Sequence, residues 1–171
     1  VSREVRMVPA NWQHPLRANG QYKPLFDEPY SRAVQQWDEG KEQWERGFRL
    51  DWSKEERVFI PKFPDDDGTY EDLEGERPVP EKYMPEWPES DRTHYQMYET
   101  TSEGTPISPV IATPEDLARW LADNKASAFG AQTATYQQWL CTIKQGSAPS
   151  MIFSDGKLRS GVEACCKKEV S

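Results

Sequence analysis

The sequence predicts an α+β fold: a small, mainly antiparallel sheet packed by three or four helices, with a Pro-rich acidic segment on the surface. Three observations predict it. Apolar and polar residues alternate in short runs near both ends of the chain. Apolar residues recur at helical spacing in one stretch of the first third and two stretches of the last. Between them, residues 61–92 crowd prolines and carboxylates together and break both periods. The 171 residues are read as a single domain, with strand and long helix over 5–60, the acidic segment over 61–92, and strands, two helices and a hairpin over 93–165.

Residues 5–26 alternate only briefly, and Pro9, Pro15 and Pro24 interrupt them. This predicts a short strand, an irregular stretch with a turn at Asn19-Gly20, and an edge strand over 21–26. Trp12, Leu25 and Phe26 are its core anchors. A helix follows over 31–48, with Ser31 as N-cap. Trp37, Trp44 and Phe48 share its apolar face. Gly40 and Gly47 each weaken it by about 1 kcal/mol relative to Ala, and their small size lets another part of the chain approach. Residues 55–60 read as a strand.

Residues 63–103 carry 13 acidic against three basic residues, a net of −10, so the rest of the chain nets +2. Proline fixes φ and removes backbone donors, so little regular structure is expected there. Tyr83, Met84 and Trp87 are interleaved with the prolines. An extended surface segment with its rings packed inward is therefore expected, not a free linker.

Residues 93–101 alternate cleanly. His94, Gln96, Tyr98 and Thr100 face one way; Tyr95, Met97 and Glu99 face the other. A second strand is expected over 107–111. Thr113-Pro114-Glu115-Asp116 starts a helix: a Thr cap, Pro at the first helical position and acids in the first turn. Leu117, Trp120 and Leu121 form its stripe, which ends near Asn124. Tyr136, Trp139, Leu140 and Ile143 mark another helix over 135–145, stopped by Gly146. Asp155-Gly156 sits at the turn of a hairpin. Ser160 and Glu163 resemble a capping box opening a short last helix, and the final residues are expected to fray.

The low hydrophobic content of 36% is balanced by 12% aromatics, including seven Trp. Large rings can build a core from few residues. A net charge of −8 repels nucleic acid. No apolar run approaches the roughly 20 residues of a membrane span, and no signal peptide is visible at Val1-Ser2-Arg3. Three cysteines, two of them adjacent, make a poor disulfide framework and suit a reducing compartment. Cys141 reads as a buried helix residue.

Motif by motif, chemistry is scarce. Aligning Gly68 with the glycine of an EF-hand loop puts Asp65, Asp67 and Glu74 at ligand positions, but Phe63 falls at the first and cannot ligate. His14 and His94 have no metal-ligand spacing, so no metal and no cofactor are expected. No nucleophile elbow, P-loop or dinucleotide fingerprint occurs, and enzymatic activity is the last of the function classes. The leading candidate site is the acidic run Asp65, Asp66, Asp67, Glu71, Asp72, Glu74 and Glu76. Such spaced carboxylates can imitate a nucleic-acid backbone and occupy a basic groove. The alternative is a small-molecule or nucleotide-binding site built on Trp37, Trp44 and Tyr95 with hydroxyls from Thr101 and Ser102. The third class is a virion or assembly component.

Three stretches carry a resemblance: Val8-Pro9-Ala10-Asn11-Trp12-Gln13-His14-Pro15, then Tyr83-Met84-Pro85-Glu86-Trp87, then residues 93–109 running on through 117–124 to Ala126-Ser127-Ala128-Phe129-Gly130. Together they resemble small acidic accessory proteins of tailed bacteriophages and prophages. The resemblance covers nearly the whole chain and brings no catalytic residues with it. It implies expression in the cytoplasm of an infected bacterium. Small accessory phage proteins often block host defence or metabolic machinery, and the acidic run adds the expectation that the partner is a host protein with a basic surface, of a defence or nucleic-acid-handling kind.

Overall fold

A computed structural model describes residues 2–101, 104–154 and 156–165. In chain order its elements are β1 (Arg3–Val8), α1 (Tyr30–Glu45), β2 (Phe48–Leu50), β3 (Phe59–Pro61), α2 (Tyr70–Glu74), β4 (His94–Glu99), β5 (Thr105–Pro106), α3 (Pro114–Asp123), α4 (Tyr136–Gln145), β6 (Ser147–Ala148), β7 (Met151–Ser154), β8 (Lys157–Ser160) and α5 (Gly161–Cys165). Short 3-10 turns occupy Pro80–Lys82 and Glu89–Asp91. The fold is α+β and its strand pairs are antiparallel. Contacts divide the chain into two compact units: Val1–Asp27 with Trp87–Ser171, and Glu28–Glu86.

The first unit is built on a four-stranded sheet ordered β5-β4-β1-β6. β1 and β4 pair along their whole length, from Arg3 opposite Glu99 to Val8 opposite His94. The alternation predicted for β4 holds. Met97 is fully buried in the core and Tyr95 packs against it. Gln96 and Tyr98 join each other by a hydrogen bond of 2.9 Å. The core is aliphatic around one large ring: Leu117, Ala118 and Leu121 from α3, Trp139 and Ile143 from α4, and Val162 from α5. Trp139 Nε1 is buried without a hydrogen-bond partner among the described residues, a cost of about 1–3 kcal/mol set against the large area its ring removes from water.

The expected caps at Thr113 and Ser160 and the stop at Gly146 form, and Thr135 adds a cap that was not expected. Thr113 accepts from the backbone N–H of Asp116, with Pro114 opening α3. Thr135 and Gln138 form a reciprocal capping box on α4, and Gly146 ends it at φ +88°. Ser160 Oγ accepts from Glu163 N at the start of α5. The β7–β8 hairpin also forms as expected. Two expected strands do not. Residues 21–26 form no continuous strand, with Tyr22 bridging Leu16, and residues 107–111 form none either, with Ile111 bridging Tyr95. Prolines 15, 24 and 109 deny those segments continuous ladders. The fraying expected of the last residues lies outside the described residues.

The second unit packs α1, the β2–β3 hairpin and α2. α1 begins at Tyr30 after Pro29, whose side chain has no capping atom. The expected Ser31 cap is thus corrected: Ser31 lies inside the helix, and its backbone N–H and hydroxyl both donate to Glu86. Phe48 has left the helix and starts β2, and the strand expected over 55–60 forms only at Phe59–Pro61. Aromatic rings do the packing. Trp44 is buried, with Lys62 Nζ 3.6 Å from its ring centroid. Trp37 meets Tyr70 edge to face at 5.3 Å. Gly40 gives α1 its closest approach: a Cβ there would collide with the Tyr70 hydroxyl. The acidic segment is more ordered than its prolines imply. Thr69 and Asp72 form a capping box that opens α2.

Candidate functional site

The seven carboxylates of the acidic run have different local fates. Asp66 is consumed internally: Oδ1 accepts from Arg49 at 2.6 Å and Oδ2 from the Phe63 backbone N–H at 2.6 Å. Glu71 is paired with Lys41, whose hydrogen bond holds the carboxyl below its ordinary range. Asp72 accepts from both the hydroxyl and the backbone N–H of Thr69, which lowers its pKa in the same way. Asp65, Asp67 and Glu76 are exposed and have no side-chain hydrogen bond or ion pair among the described residues. Glu74 is unlike the rest. It is half-buried, and burial pushes its carboxyl up, opposed by Arg57 and Arg49. No hydrogen bond or ion pair of Glu74 occurs among the described residues.

Glu74 lines a cleft of about 180 Å³ within the second unit. Trp37, Trp52, Tyr70 and Tyr83 form its aromatic walls, and Glu28 and Arg57 are its other charged groups. Trp37 is held in place by Nε1, which donates to the Gly75 carbonyl at 3.2 Å. The Arg57 guanidinium is already engaged, donating to the Gln36 carbonyl at 3.1 Å and lying 3.4 Å from Glu39. A second cleft of about 170 Å³ shares Trp52 and Arg57 with the first. Trp52 is 63% exposed, and Phe63 is 51% exposed.

The alternative ligand residues do not converge. Trp37 is in the cleft, Trp44 is buried, and Tyr95 belongs to the core layer of the other unit. Thr101 is exposed and donates to Glu99 through its backbone N–H and hydroxyl; Ser102 lies outside the described residues. The cleft residues Glu28, Trp52, Arg57, Tyr70 and Tyr83 were not marked by any motif. One signal was present in the sequence: Trp52 stands alone among Asp51, Ser53, Lys54, Glu55 and Glu56, with no apolar neighbour to make it a core residue.

The first unit holds a buried polar network. His14 Nε2 lies 2.6 Å from the Lys23 carbonyl, so it carries the proton, and Nδ1 faces the Tyr98 hydroxyl at 3.1 Å. Trp12 Nε1 donates to the same hydroxyl at 3.2 Å. Arg6 lies 4.3 Å over the Tyr98 ring and donates to the Leu25 carbonyl at 2.8 Å. Burial pushes the Tyr98 hydroxyl up to about 12. Burial pushes His14 down, with the Lys23 carbonyl opposing and Arg6 adding to the fall. These bonds fasten residues 12–25 to β4.

Among the described residues, no group of three or more His, Cys, Asp or Glu side chains could hold a metal ion, and no helix is long and apolar enough to cross a membrane. No family model, no curated protein and no solved structure matches this chain.

Proposed function

We propose that the chain is a bacteriophage accessory protein that binds a host protein in the bacterial cytoplasm and blocks its basic, nucleic-acid-handling surface. The unit Glu28–Glu86 makes the contact. One observation carries this reading: that unit has 17 acidic and nine basic residues, a net of −8, while the other unit nets zero. The whole net charge of the chain is therefore on 59 residues, which also expose Phe48, Trp52 and Phe63. Concentrated charge steers encounter with a basic groove, and exposed rings supply packed anchors. Asp65, Asp67 and Glu76 are the carboxylates of the run available for contact; Asp66, Glu71 and Asp72 support the unit that presents them. A nucleotide sponge is the weaker reading, because Glu28 and Glu74 repel phosphate from the aromatic cleft.

The test is retention of bacterial proteins on immobilised full-length chain, challenged with salt and with a short DNA duplex. The expected result is a nucleic-acid-handling protein displaced by the duplex and lost from the Asp65→Lys/Asp67→Lys/Glu76→Lys variant. Retention indifferent to salt, duplex and charge reversal would falsify the reading.

A further inference from the structure

We propose that the aromatic cleft of Glu28–Glu86 binds an organic cation, a guanidinium or alkylammonium group, with Glu74 as counter-ion. Three features point there. The walls are rings, whose faces attract cations most strongly where water is excluded. Trp37 and Tyr70 pack edge to face and Trp37 Nε1 donates to the Gly75 carbonyl, so these two walls are held by contacts within the unit. Glu74 is half-buried and unpaired, and a desolvated carboxylate gains most from a cation that replaces the lost water.

Arg57 is the one cation lining this cleft. It opposes a second positive charge, but Gln36 and Glu39 already hold it, and two carboxylates, Glu28 and Glu74, line the same cleft. The unit's net charge of −8 raises the local concentration of cations further. A planar guanidinium suits the site best, because it stacks on rings and pairs side by side with a carboxylate. The cation has two possible sources: a free small molecule, or a side chain of the basic partner proposed above. Only the second rests on that reading.

The experiment is calorimetric titration of the full chain at low salt. The probes are an arginine-bearing peptide, the same peptide with neutral citrulline, and free N-acetyl-arginine amide. The expected result is that the arginine peptide binds at least about tenfold more tightly than the citrulline peptide. Glu74→Gln, with melting temperature unchanged, should remove that difference, and Asp65→Lys should leave it. Binding of the free amide as tight as the peptide assigns the site to small molecules. A much weaker amide assigns it to a protein side chain. Equal binding of both peptides, or no effect of Glu74→Gln, overturns the proposal. The duplex-displacement test can fail independently, since it depends on Asp65, Asp67 and Glu76.

Discussion

The two units solve the same problem with different materials. The first is electrically neutral and closes around Leu117, Leu121, Met97, Ile143 and Val162, with Trp139 as the one ring inside that buried cluster and Tyr95, Trp120 and Tyr136 packed against it. The second has only six Leu, Ile or Val residues but nine aromatic ones. Four of its cations lie over rings: Lys41 over Trp37, Arg49 over Phe63, Arg57 over Phe59 and Lys62 over Trp44. A small unit buries a small fraction of its surface and is hard to stabilise with aliphatic residues alone. A ring can pack on one face and hold a cation on the other, so the second unit engages four of its nine basic residues with its own rings. The unit keeps a net charge of −8.

The sharpest break of this contrast is to remove one ring from each unit. Trp139→Ala should cost about 3–5 kcal/mol in urea unfolding. Trp44→Ala should abolish hydrogen-exchange protection within Glu28–Glu86 while leaving β1 and β4 protected. Protection lost from both units together would erase the distinction. Next come the glycines. Gly104 has φ +102°, and a Cβ there would collide with Arg6 and the Leu25 carbonyl; Gly104→Ala should cost about 1–3 kcal/mol. Gly40→Ala tests a sign. Helix propensity alone favours Ala by about 1 kcal/mol, but the new methyl meets Tyr70. A lower melting temperature is expected, and a higher one would mean that Tyr70 moves freely.

Caps give smaller effects. Thr113→Ala should cost about 1 kcal/mol in the first unit. Thr69→Ala should perturb only the exchange of the five-residue α2 in the second. The mildest test is acid. His14 is held neutral by burial, so its folded pKa lies below the unfolded value of about 6.5. Between those two values the unfolded chain binds more protons, and stability rises with pH. Lowering the pH through about 6.5 should therefore weaken the first unit, and His14→Gln should flatten that part of the melting-temperature profile. An unchanged slope would mean that His14 is not the titrating group.

The elements legible in the sequence are those fixed by neighbours along the chain. The caps at Thr113 and Ser160, the stop at Gly146, the alternation of 93–101 and the pairing of β7 with β8 depend on residues close to one another in sequence, and each formed. Ser31 misled because a hydroxyl near a helix start resembles a cap whether or not the helix begins one residue earlier. The 21–26 and 107–111 strands misled because an edge strand exists only where a partner offers a continuous ladder. In the candidate site, the regional acidity was legible as composition. The division of that acidity into Asp66, Glu71 and Asp72, which brace the unit, and Asp65, Asp67 and Glu76, which are exposed, was not.

The sequence by itself determined the α+β class, the caps at Thr113 and Ser160 and the concentration of charge over residues 63–103, because periodicity, capping and composition are local or additive properties. The tertiary structure alone decided that Glu28, Trp37, Trp52, Tyr70, Glu74 and Tyr83 share one cleft, and that Cys141 meets Cys165. Those contacts join residues 24 to 55 positions apart. Side chains so distant in sequence become neighbours only when burial of the rings and helices between them folds the chain back on itself.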